Sequence, residues 1–172
     1  SSVLGLARAQ HVGDGYEALR SWGVGAQNWV LADSNGQILY TAHAQIPKRD
    51  QRALAWNATE QSGTLPCFVL PGDGTAEWTG FLQEEYIPHA LDPARGWIAT
   101  ANTDQVGTTL DGNPGDDKLP NGEPGFLSCF YDLGFRLGRI EQRLSAVEPG
   151  SMTLDDMAAL QGDAHSNVGA RL

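Results

Sequence analysis

Val12, Tyr16 and Leu19 recur at spacings of four and three, so on a helix they share one face and belong to a core. Together with Leu4 and Leu6 they predict two short helices: one over residues 4–10, a break at Gly13, and a second from Asp14 to about Trp22. Asp14 followed by Glu17 has capping-box spacing at its start. From Gln27 the period changes to that of strands. Residues 28–32 and 37–42 flank Asp33-Ser34-Asn35-Gly36, a hairpin with an Asn-Gly turn. Pro47 is expected to end its second strand, and residues 48–74 read as loop with short extended pieces such as 67–70. Short strands are expected over 78–81 and 96–99, around Pro88 and Pro93. The Gly, Asp and Pro run over 103–124 has no regular period, and reads as either a site-lining loop or a flexible one.

Helical spacing returns over residues 126–144, where Phe130, Leu133, Leu137, Ile140 and Leu144 recur every three or four residues with Arg136, Arg139 and Arg143 interleaved. Thr153 followed by Asp156 marks the start of a last helix containing Ala158, Leu160 and Gln161. No internal repeat is present. The element order gives an α+β class with mostly antiparallel strands, because a hairpin leads and no regular strand–helix alternation follows. The chain divides into a helical lead-in (1–25), a β-rich region (26–102), a loop (103–125) and a helical end (126–172), all within one domain.

A 41% hydrophobic and 19% charged composition is that of a globular chain, which removes wholesale disorder from consideration. Twenty-one acidic against eleven basic side chains give a formal charge of −10, which repels nucleic acid and anionic membrane surfaces. No stretch approaches the roughly 20 apolar residues of a membrane span, and residues 1–4 lack signal-peptide character, so any export signal has been removed or lies outside this sequence. Cys67 and Cys129 are too far apart for a zinc cluster; a disulfide and two buried thiols both remain open.

Taken in order, several stretches resemble the penicillin acylase family. They are Gln27-Asn28-Trp29-Val30-Leu31-Ala32-Asp33 with Gly36, Ile38 and Tyr40, then Ile46-Pro47-Lys48-Arg49, and Trp78-Thr79-Gly80-Phe81. Asp92-Pro93, Gly96-Trp97-Ile98-Ala99-Thr100-Ala101-Asn102, residues 136–144, Leu154-Asp155-Asp156-Met157 and residues 160–166 follow. The ordered set spans nearly the whole chain and is far more specific than any member. The resemblance implies an internal piece of the large catalytic subunit of an N-terminal nucleophile (Ntn) hydrolase. The fold would then be part of an αββα sandwich, with an antiparallel hairpin, an irregular β region and flanking helices. In that family a serine freed by self-cleavage attacks a linear amide while its own α-amine takes the proton. The substrate would be a small amide: the acyl side chain of a β-lactam, an acyl-homoserine lactone or similar. No cofactor is implied for catalysis. The implied partners are the small subunit and the N-terminal part of the large subunit, and the implied location is periplasmic or secreted.

By motif position Asn102 matches the family's oxyanion-hole asparagine, a neutral amide donor. Read locally, it is an asparagine that closes a strand and starts a turn. Arg136 matches the arginine that orients that asparagine, against the local reading of a helix-surface cation paired with a nearby acid. Pro47 matches a place where some members offer a backbone carbonyl to a structural calcium, and Asp111 is the first acid to test as a further ligand. Ser1 is followed by Ser2-Val3-Leu4-Gly5 rather than the family's Asn and Trp, so the nucleophile is expected outside this chain. Asp163, His165 and Ser166 lie within one turn and cannot aim at each other as a relay; they read as a helix end. His11, His43 and His89 are scattered without ligand spacing. The alternative is a non-catalytic, calcium-dependent binding module derived from the same family.

Overall fold

The computed structural model describes residues 1–23 and 25–171. Two short helices lead, α1 (Ser2–Leu6) and α2 (Val12–Leu19). Gly13 lies inside α2 instead of separating the two. Asp14 serves at the third helical position, where its Oδ2 accepts the N–H groups of Gln10 and His11, so the helix starts before Asp14 rather than at it. Val12 and Leu19 are buried as their spacing predicted, with Tyr16 half-buried between them. Close approach explains two glycines. A Cβ on Gly5 would stand 2.7 Å from Ala18 Cβ across the α1–α2 contact, and one on Gly15 would stand 2.7 Å from Leu31 Cδ1.

The hairpin forms as β1 (Trp29–Ala32) and β2 (Ile38–Thr41), paired antiparallel with Trp29 opposite Thr41 and Ala32 opposite Ile38. Its turn differs in detail from a two-residue Asn-Gly turn. The Gly36 N–H donates to Asp33 O, and Gly36 (φ 85°) takes the positive φ while Asn35 does not. The Asp33 carboxylate fixes this turn to the helices: Oδ1 accepts from the Asn35 and Gln37 N–H groups and Oδ2 from that of Val12. Burial alone would raise its pKa, but these three donors hold it below the ordinary carboxylate range.

β2 ends at Thr41, well before Pro47. Pro47 instead opens a strand, β3 (Pro47–Arg49), a position where its missing N–H costs nothing. A 3₁₀ turn over Gln51–Leu54 and a small ladder of β4 (Trp56–Asn57) with β5 (Ser62–Gly63) occupy the expected loop, whereas residues 67–70 form no strand. β6 (Trp78–Phe81) appears as expected and pairs with β3. The strand expected over 96–99 is absent. Gly96 closes a turn onto Pro93, and the Arg95 guanidinium stacks 4.1 Å from the Trp97 ring. The strand lies earlier, as β7 (His89–Leu91) beside β2, and Asp92 ends it by accepting the Ile38 N–H. The order β1-β2-β7 makes β2 central, which is why Leu39, Tyr40 and Thr41 are buried in succession instead of alternating. Every strand pairing is antiparallel, and with the helices this is an α+β architecture.

The long helix, α3 (Phe135–Ser145), starts nine residues later than its periodicity indicates. Phe126 is anchored with Leu54 and Leu65 in a small core that Trp56, Cys67 and Cys129 complete. Cys67 and Cys129 form a disulfide with 6.2 Å between their Cα atoms. Gly134 at φ 83° then breaks the backbone just before the helix. Phe130 and Leu133 are consequently exposed rather than lined up on a helix face. The last helix, α4 (Leu154–Gln161), begins as expected at Thr153, whose side chain accepts the Asp156 N–H in a capping box. Asp163 joins the two helices by accepting from Arg139 (2.7 Å) and Arg143 (3.4 Å).

Candidate active site

From the Pro93–Gly96 turn the chain runs to Asn102 with Ala99, Ala101 and Thr103 buried on either side of it. The flanking residues thus anchor the backbone while the asparagine itself is exposed. Asn102 has φ 60°, a left-handed conformation that asparagine tolerates better than most side chains. The following loop is fixed by Asp104, which accepts N–H bonds from Gly107 (2.8 Å) and Thr109 (2.7 Å). Burial raises the Asp104 pKa, but these donors outweigh it and leave the carboxyl below its ordinary value. The 103–124 run carries no helix or named strand, and Thr103, Gln105 and Val106 line a cavity.

Arg136, in the first turn of α3, reaches back to this backbone. Its Nη2 donates to Ala101 O (2.8 Å), Asn102 Oδ1 (2.9 Å) and Asp132 Oδ2 (3.0 Å), while Nε donates to Asp132 Oδ2 (3.2 Å). Arg136 is therefore paired with an acid and bonded to the Asn102 side chain at once. A guanidinium has only donors, so it engages the amide oxygen, and among the described residues no acceptor takes the Asn102 Nδ2 hydrogens. The Asp132 N–H closes the arrangement by donating to Asn102 O at 2.8 Å. Asp132 was not singled out in the sequence, although its four-residue offset from Arg136 was a usable signal.

Asn102 stands on a cavity of about 300 Å³ whose other walls include Asn28, Tyr40, Leu127, Phe130 and Tyr131; none of the described lining residues is charged. The Tyr40 hydroxyl donates to Asn28 Oδ1 at 2.8 Å, and burial, with Tyr131 adding, pushes its pKa up to about 12. This wall offers neutral polar groups and aromatic faces. It suits an uncharged ligand group.

The metal expectation fares differently. Asp111 is exposed and spends Oδ1 on the Asn113 N–H, and Pro47 sits in β3. Asp117 keeps a buried Oδ2 without a hydrogen-bond partner, and burial first, then Asp116, Asp111 and Asp104, push its carboxyl upward. Among the described residues, however, no three His, Cys, Asp or Glu side chains converge as metal ligands. Pro47 and Asp111 therefore do not compose a calcium shell by themselves. Elsewhere, Asp163 Oδ1 accepts the backbone N–H of His165, and the Ser1 carbonyl accepts the Gly5 N–H at the start of α1.

Comparison with known proteins bears on these features. The penicillin amidase family model matches residues 1–172. Penicillin acylase 2 proenzyme of Pseudomonas sp. (strain SE83) is 32% identical over 152 residues, 88% of this chain and 16% of that protein. Acyl-homoserine lactone acylase QuiP of Pseudomonas fluorescens is 36% identical over 98 residues, 56% of this chain and 10% of that protein. Penicillin G acylase of Escherichia coli is 36% identical over 75 residues, 44% of this chain and 8% of that protein. The chain thus spans less than a fifth of the length of these curated relatives. The crystal structure of a thermostable penicillin G acylase from Alcaligenes faecalis superposes with a TM-score of 0.63 at 17% identity, covering 94% of this chain and 24% of that one, which shows a shared Ntn-hydrolase fold. With the ordered motifs, the common fold and a match along its entire length, this chain belongs to the penicillin amidase family.

Proposed function

We propose that this chain supplies the oxyanion-supporting part of an amidase that cleaves a linear amide by N-terminal serine attack. The observation that carries the reading is the Arg136 Nη2 bond to Asn102 Oδ1, which engages the amide oxygen and leaves the Nδ2 hydrogens available as donors. As the tetrahedral intermediate forms, negative charge collects on the former carbonyl oxygen. Asn102 Nδ2 donates to it from a position fixed beforehand, so little reorganisation is needed as the charge develops. The serine, its α-amine and the second oxyanion donor come from segments outside these residues, namely the small subunit and the N-terminal part of the large one. The uncharged cavity beside Asn102 favours a neutral acyl or leaving group there. Penicillin acylases and an acyl-homoserine lactone acylase among the relatives support β-lactam side chains and acyl-homoserine lactones as the substrate class. The disulfide suits an oxidising compartment, which supports a periplasmic or secreted protein. A structural calcium, if held through Pro47 and Asp111, takes its remaining ligands from elsewhere.

The test is steady-state hydrolysis of a phenylacetyl or fatty-acyl anilide by the whole acylase carrying Asn102→Ala. The expected result is a fall in kcat of about 10²–10³ with KM little changed. Full retention of kcat overturns the assignment.

A further inference from the structure

The segment over residues 126–131 forms one wall of the cavity through Leu127, Ser128, Phe130 and Tyr131, yet it belongs to no helix or strand. No backbone–backbone hydrogen bond reaches it among the described residues. An extended segment of this kind has no ladder to set its register, so side-chain attachments must do so. Two involve residues that do not line the cavity. Phe126 is buried against Leu54 and Leu65, and Cys129 is bonded to Cys67 across a sequence separation of 62. The residues after each cysteine also meet: the Phe68 and Phe130 rings pack edge-on with centroids 6.4 Å apart. Directly beyond the wall, the Asp132 N–H donates to Asn102 O and the Asp132 carboxylate holds Arg136.

We infer that the Cys67–Cys129 disulfide positions the active site: it sets the register of residues 126–132 and, through Asp132, the placement of Asn102. The cysteines touch no reacting atom; they are positioning residues. The inference rests on the proposed amidase reading for its kinetic consequence, but its structural part is readable without turnover. Because closing a long loop also constrains the unfolded chain, loss of the bond lowers Tm whether or not it positions anything. Stability is therefore not the discriminating measurement.

The experiment uses the whole acylase with Cys67→Ala and Cys129→Ala together, and the unaltered enzyme reduced with a phosphine, both assayed well below their own Tm. The expected result is a loss of about tenfold in kcat with KM nearly unchanged, restored in the reduced enzyme by reoxidation. In an Asn102→Ala background the same cysteine changes are expected to cost no further activity, because two changes acting through one group are not additive. An unchanged kcat, or an equal loss in the Asn102→Ala background, overturns the inference. Hydrogen exchange at the Asp132 amide gives the second readout: it should quicken about tenfold once the disulfide is removed, and an unchanged rate refutes the positioning role. An enzyme that hydrolyses no amide at all overturns the amidase reading instead, and the exchange measurement then still decides this one.

Discussion

At Asn102 two features meet on one residue: a left-handed backbone at φ 60° and a side-chain amide whose oxygen is held by Arg136. Glycine separates them. Asn102→Gly removes the amide but accepts the backbone freely, so kcat is expected to fall as far as in Asn102→Ala while Tm exceeds that of the alanine variant. Thermal melts of the two variants, run beside their kinetics, check this. An alanine variant as stable as the glycine one counts against strain at this position. Arg136 carries a different expectation, because one planar guanidinium serves Ala101 O, Asn102 Oδ1 and Asp132 together. A lysine keeps the charge but not the fork, so Arg136→Lys is expected to lower kcat by about tenfold with little effect on KM. Motif position alone was enough to single out both residues. Asp132 was not singled out and Tyr40 entered only as a motif position, since the chemistry of each depends on a neighbour far along the chain or on burial.

Between elements, Asp163 is the group that ties α4 to α3. The Arg139 guanidinium first, then the His165 N–H, hold its carboxyl down to about 2. A depressed pKa stabilises the fold above the unfolded value, near 3.9, and that contribution disappears as pH falls from about 4 to about 2. Asp163→Asn is therefore expected to lower Tm at pH 7 and to make much less difference near pH 2, where the folded-state carboxyl is about half protonated, which melts at the two pH values will show. A deficit undiminished at pH 2 would assign the loss to packing instead. At this scale the sequence was most informative where a local device sets a boundary: the Thr153 capping box and the Asp33–Gly36 turn are both realised. It misplaced α3 because helical spacing over residues 126–134 was real as a pattern but was overruled by Gly134, the disulfide and the Phe126 anchor.

For the whole chain the pattern of exposure is the main finding. Val69, Leu110 and Leu133 are 96%, 86% and 85% exposed, Phe130 and Leu154 are also open, and neither α3 nor α4 contains a buried residue. Exposed apolar side chains favour association where they form a contiguous patch. Cut out as residues 1–172, the chain is expected to self-associate and to enhance the fluorescence of an apolar dye. Sedimentation and dye titration check this, and a monodisperse monomer that binds no dye refutes it.

The sequence by itself determined the α+β class, the hairpin, the last helix and, through motif order, the family. Those features are written locally: periodicity, caps and motif spacing act over a few residues at a time. Only the tertiary structure decided that β7 completes the sheet, that Cys67 and Cys129 join, and that residues 126–131 become a cavity wall. It likewise decided that Asp132 ties Arg136 to Asn102. These depend on which distant segments meet, and the free energy that selects them comes from packing and hydrogen bonds that no single stretch of sequence contains.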